Sequence, residues 1–177
     1  MTKARFLRTI QHRAARAAVG ASATRGSGNA GVGKSARAFL VRLNLAPFGT
    51  NKRVAFSRTL DRATKRLQRK LPKRGRSWGL ARKLLNIFLR DSMYTRYLNR
   101  AYGLRAAERF LEIPLDSITA NRIWKKVPQL PRWPGVRHVT PDVSAAYQAA
   151  ALPLARKQRV FRVHLDAYWW GQRDESD

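Results

Sequence analysis

The stretch "RATKRLQRKLPKRGRSWGLARKLLNIFLRDSMY", residues 62–94, decides how this chain is read. Its first part closes a helix that the pattern begins near Val54. Phe56, Leu60, Ala63 and Leu67 recur there at three- and four-residue spacing. Arg62, Lys65, Arg66, Arg69 and Lys70 take the opposite face. "LPKRGRSWG", 71–79, then breaks the helix with a proline and two glycines. A second, longer helix is predicted from about Leu80 to Tyr102, with Leu80, Leu84, Ile87, Tyr94 and Leu98 as its apolar stripe. Asp91 falls in that same register, an odd place for an acid.

Outward from this pair of helices, the same spacing recurs and strict alternation does not. Residues 3–19 read as a basic helix, "KSARAFLVRLN" (34–44) as another, and "GLRAAERFL" (103–111) as a short one. "EIPL" is extended because Ile113 precedes a proline. "DSITANRIWKK", "DVSAAYQAAALPLARKQ" (bent near Pro153) and "RVHLDAYWWGQ" complete the helices, and "VPQLPRWPGVRHVTP" is a Pro-rich connector. The expected fold is all-α, a compact multi-helix domain with a basic N-terminal arm. The division is a basic helix and Gly/Ser loop over 1–33, a helical domain over 34–171 and a solvated tail over 172–177.

Charge narrows the function. Lys and Arg number 37 against 10 Asp and Glu, a formal net charge of +27. Such a field attracts polyanions, first among them nucleic acid. No acid occurs before Asp61. The Arg-rich, amphipathic start resembles a mitochondrial transit peptide. The charge elsewhere favours instead a basic helix near DNA and a cytoplasmic or nucleoid location. With no cysteine, disulfides, thiolate zinc sites and iron–sulfur clusters are excluded. His12, His138 and His164 lack metal-ligand spacing, so no metal and no cofactor is expected. No apolar run reaches the length of a membrane span.

Five features bear on chemistry. "GNAGVGKS", 28–35, matches the spacing of a phosphate-binding loop but lacks the preceding strand, so nucleotide hydrolysis is set aside. The basic cluster from Arg62 to Lys83, a helix, a Pro/Gly turn and the start of a second helix, has the outline of a helix-hairpin-helix element, presenting Lys70, Lys73, Arg74 and Arg76 to phosphates. Lys83 lies at the edge of the buried stripe. By position alone it reads first as a phosphate-binding lysine, with an amine nucleophile as the alternative where partial burial and neighbours such as Arg76 and Arg82 disfavour the charged form. Asp116 is a helix N-cap by position, able to keep one oxygen free for a cleft. In "HLDAYWW", 164–170, Asp166 and Trp170 share a helix face, an acid beside an aromatic plate that suits a flipped base. Glu108 and Glu112 read as ordinary surface acids.

Lys83, "IPLDSITANRI" and "RVHLDAYWW" together resemble the helix-hairpin-helix DNA glycosylases, and most of all the archaeal GO branch that acts on 8-oxoguanine. That branch carries a lysine at the start of a long helix, an Ile-Pro-Val/Leu-Asp element some thirty residues later and a closing His-Leu-Asp-x-x-x-Trp. The likeness covers about 79–170. It implies a DNA glycosylase and abasic-site lyase in which Lys83 forms a Schiff base with the deoxyribose. Asp116 would assist departure of the base. Ile87, Pro114, Asp166 and Trp170 would line the base pocket. The implied partner is double-stranded DNA with a flipped base, held by a monomer. Two features depart from the branch: the hairpin lacks closely spaced glycines, and Ile87 stands where relatives often have an aromatic. The alternatives are a glycosylase for modified phage bases and a non-catalytic, basic nucleic-acid-binding protein.

Overall fold

The computed structural model describes residues 2–24 and 31–174, apart from the side chains of Ser22 and of 170–174. Part of the Gly/Ser loop, the end of the tail and the Trp170 side chain therefore lie outside the described residues. The described residues form helices and no strand, as the absence of alternation predicts. In chain order the helices are α1 (Lys3–Ala18), α2 (Ala21–Thr24), α3 (Val32–Val41), α4 (Arg53–Lys70), α5 (Trp78–Tyr94), α6 (Arg96–Tyr102), α7 (Ser117–Lys126), α8 (Pro141–Lys157) and α9 (Leu165–Asp174). A 3-10 turn, Lys73–Gly75, sits between α4 and α5.

Helix α5 is the axis of the molecule. Ser77 caps it by accepting the Leu80 amide at 3.2 Å. Leu80, Ala81, Leu84, Leu85, Phe88 and Leu89 are all buried and form one broad apolar face, while Arg82, Lys83 and Asn86 on the other side are buried too. Helices α1, α3 and α4 pack around it and, with α6 and the 3-10 helix Leu104–Phe110, build the first core.

The N-terminal helix is no arm. Ala15 and Ala18 are wholly buried in the first core. Gln11 donates to Leu40 O at 2.9 Å and Leu43 O at 2.8 Å, satisfying carbonyls at the end of α3. The basic residues of α1 form the solvent side of a packed helix, a role that charge alone could not distinguish from a free arm.

The long helix predicted to Tyr102 stops at Tyr94. Thr95 takes an extended backbone, φ −79° and ψ 110°. The Asp91 carbonyl still accepts the Thr95 amide at 3.1 Å, but Asn99 Nδ2 donates to Met93 O at 2.8 Å, a carbonyl that a continuing helix would use. The break turns Tyr94 outward, 49% exposed, instead of into the stripe.

A second core joins Ile113 and Leu115 to α7, α8 and α9 through Ala120, Ile123, Tyr147, Ala151, Leu165 and Trp169. Pro153 lies inside α8. Gln148 of α8 grips the extended segment by both ends of its amide. Ile113 N donates to Oε1 at 3.1 Å, and Nε2 donates to Ile113 O at 2.8 Å. The connector before α8 crosses the start of α5 at Gly79. A Cβ there would lie 2.1 Å from Val139 Cγ1 and 2.3 Å from the Val136 carbonyl oxygen, so only glycine fits.

Candidate active site

The two cores meet at a seam that is polar along its length, and the residues singled out in the sequence converge there. α5 supplies Arg82, Lys83, Asn86 and Arg90. The extended segment supplies Glu112 and Asp116, α7 supplies Thr119, and α9 supplies Asp166.

Lys83 Nζ lies 3.6 Å from Asp116 Oδ2. The Lys83 side chain is only 7% exposed and that of Asp116 25%. Asp116 is also the N-cap of α7, as its position predicts. Its Oδ1 accepts the amides of Ile118 at 3.1 Å and Thr119 at 2.9 Å. The carboxylate therefore divides its work. One oxygen holds the helix start, while the other faces the lysine at ion-pair range, beyond an ordinary hydrogen bond.

Thr119 ties a second carboxylate to the first. Its amide serves Asp116, and its Oγ1 donates to Asp166 Oδ1 at 3.1 Å. Asp166 Oδ2 receives a short contact from Arg90 Nη1. Burial pushes the Asp166 carboxyl up from its ordinary value. The Asp116 charge adds to this, and Arg90 opposes it. The sequence offered Asp166 as a free acceptor for a base. Both its oxygens are instead engaged, so it braces the Asp116 cap and anchors Arg90.

Arg90 and Thr119 were not anticipated. The signal was faint: Asp91, the misplaced acid of the α5 stripe, sits beside Arg90 and receives its Nε–H at 3.0 Å. Burial raises the Asp91 carboxyl, with Arg90 opposing.

Arg82, next to Lys83, has a different role. It binds Glu112 through two hydrogen bonds of 2.7 Å, and its Nη1 reaches Asp61 at 2.8 Å and Thr64 at 3.1 Å. Glu112 is therefore no surface acid. Burial alone would raise its carboxyl. The hydrogen bonds and charge of Arg82, with Arg162 and Asn86, outweigh burial and hold it below the usual carboxylate range. Arg82 is likewise no bare cation beside Lys83, because its charge is neutralised by two acids. Glu108 is half-buried and meets His164 Nε2 at 2.9 Å, while His164 Nδ1 and the Tyr94 hydroxyl are 2.7 Å apart.

On the α8 side of Lys83 the seam is closed. Gly79, Arg82, Asn86, Leu115, Ser144 and Gln148 leave a void of about 10 Å³. That is about the space of one water and far too small for a base. Asn86 Oδ1 is buried at this void and accepts no hydrogen bond. Such an orphaned acceptor costs about 1–3 kcal/mol. Pro114 is buried in the extended segment, and Ile87 is half-buried against the first core. Neither residue has a polar role.

The four cations assigned to DNA phosphates, Lys70, Lys73, Arg74 and Arg76, are exposed around the turn from α4 to α5. None forms an ion pair among the described residues. The connector steadies this turn, with Arg137 Nη2 donating to Arg74 O at 2.8 Å. Among the described residues no cluster of His, Asp and Glu could hold a metal, and no helix is long and apolar enough to cross a membrane. No family model, curated protein or solved structure matches the chain.

Proposed function

We propose that this protein is a DNA glycosylase with abasic-site lyase activity. The observation that carries the reading is the 3.6 Å approach of the Lys83 amine to the uncommitted oxygen of Asp116 at a seam between two cores. An exposed basic turn joins α4 to the helix that bears Lys83, which suits a protein holding a duplex by its phosphates.

In this reading the target nucleotide rotates out of the stack, costing a few kcal/mol. The seam opens to admit it. Lys83 Nζ, as the free amine, attacks C1′. The glycosidic C1′–N bond breaks and its electron pair leaves with the base, which takes up a proton. Asp116 Oδ2 offsets the positive charge that develops on the sugar. Ring opening yields an imine between Lys83 and C1′. Loss of a C2′ proton then expels the 3′-phosphate and nicks the strand. The base favoured by the resemblance is oxidised guanine, with modified phage bases as the alternative within this class.

The narrow void beside Lys83 favours a second reading, a basic protein that binds nucleic acid without chemistry. Borohydride trapping separates the two. A duplex carrying 8-oxoguanine or an abasic site should crosslink to the wild type and not to Lys83→Gln. Trapping that is absent, or undiminished in that variant, overturns the mechanism. Release of free base from the 8-oxoguanine duplex distinguishes base excision from the abasic-site reactivity of any amine.

A further inference from the structure

A groove of about 770 Å³ lies between α3 and α4, lined by Phe39, Arg42, Arg66, Arg69, Lys70 and the polar Ser35 and Asn44 among others. It contains four cations and no acid. Phe39 packs against the first core and also lines the groove. The Arg66 guanidinium lies 5.9 Å from the centre of its ring. We propose that this groove is a second nucleic-acid site that takes an unpaired nucleotide, its phosphates among the cations and its base stacked on Phe39.

The lining chooses the ligand. Four cations without an acid fit a polyanion, and an aromatic ring with a guanidinium over it, 5.9 Å from its centre, fits the face of a base on the ring and the guanidinium plane. A free phosphate would not use the ring. A duplex would not offer a base face, because its bases are stacked on one another. The groove also has an entry path. Lys70 belongs both to its wall and to the exposed cations that continue through Lys73, Arg74 and Arg76. A strand running along the turn from α4 to α5 reaches the groove without crossing an acid. The inference stands apart from Lys83 and holds equally for a protein without catalysis.

The probe is fluorescein-labelled oligothymidylate, titrated with the full chain at fixed ionic strength and read by anisotropy. Phe39→Leu keeps the apolar packing and removes the stacking face. It should weaken binding about 5- to 150-fold, the range for removing one base–aromatic stack. Phe39→Tyr should restore it. An oligonucleotide with 5-iodouracil should photo-crosslink to a peptide containing Phe39. If Phe39→Leu is less folded by circular dichroism, the exposed pair Arg66→Ser and Arg69→Ser decides. That variant should reduce the slope of log affinity against log salt by about 1.4, or about 0.7 for each single-strand phosphate that is no longer neutralised. Wild-type affinity in folded Phe39→Leu, an unchanged salt slope in the arginine variant, or crosslinks confined to other helices would overturn the proposal. So would phosphatidylserine vesicles that displace the oligonucleotide and lose affinity in the same variants, since a lipid surface would then be the occupant.

Discussion

Arg82 and Lys83 are consecutive residues of one helix, facing the same seam, and they are treated in opposite ways. Arg82 is densely bonded: two bonds of 2.7 Å to Glu112, then Asp61 and Thr64. Lys83 has one acid, at 3.6 Å, and that acid uses its other oxygen as a helix cap. A buried charge needs partners to offset its desolvation. The first site meets that need in full and therefore holds the two cores together. The second meets it in part, which leaves the Lys83 amine and the second Asp116 oxygen at ion-pair range with no hydrogen bond of ordinary length.

Four predictions test this contrast, from the largest effect to the smallest. Lys83→Gln should reduce borohydride trapping to background while the melting temperature stays near that of the wild type. A large drop in melting temperature would mean that Lys83 is as structural as its neighbour.

Glu112→Gln should do the reverse. Breaking a buried pair costs about 3–5 kcal/mol, so the protein should unfold at markedly lower denaturant. The same pair sets an acid limb. Glu112 is held below its unfolded value, so its ionised form favours the folded state. That contribution is whole above the ordinary carboxylate range and is lost as pH falls through the folded value. Melting temperature against pH should fall more steeply at the acid end for the wild type than for Glu112→Gln. Parallel curves would remove the clamp from the account.

Asp116→Asn separates the two tasks of one carboxylate. Asn caps a helix about as well as Asp, so stability should change by only a few tenths of a kcal/mol. Activity should fall about 10²- to 10³-fold if the charge serves the reaction. Asp116→Ala should lose the cap as well, about 1 kcal/mol. Equal activity in the Asn variant and the wild type would reduce Asp116 to a cap.

The smallest effect belongs to the turn. Lys73→Ser or Arg74→Ser should leave trapping chemistry intact and reduce the salt slope of duplex binding by about 0.9 each. An unchanged slope would place the duplex on another face.

Several elements were legible because their cause is local. The helices around residues 54–70 and 117–126 follow from spacing and from an Asp before the first turn. The turn at 71–77 follows from proline and glycine. Lys83 and Asp116 were paired through the resemblance, and they do lie 3.6 Å apart. Other features have non-local causes. α5 ends at Tyr94, where Thr95 turns extended and the Asn99 side chain captures the Met93 carbonyl, a competition that spacing does not reveal. Glu112 looks like any exposed acid until Arg82, thirty residues earlier, closes on it. Asp166 looked free because Thr119 and Arg90 reach it only through the fold.

The sequence by itself determined an all-helical chain, a basic surface suited to polyanions, the absence of thiol chemistry, and a capped helix at Asp116. These depend on composition and on contacts within a few residues. Only the tertiary structure decided that α1 belongs to the core, which acids are buried, and that Lys83 has one acid at 3.6 Å while Arg82 is hydrogen-bonded to two. The reason is physical. A charged side chain's role depends on how many partners reach it after burial, and those partners come from helices far apart in the chain.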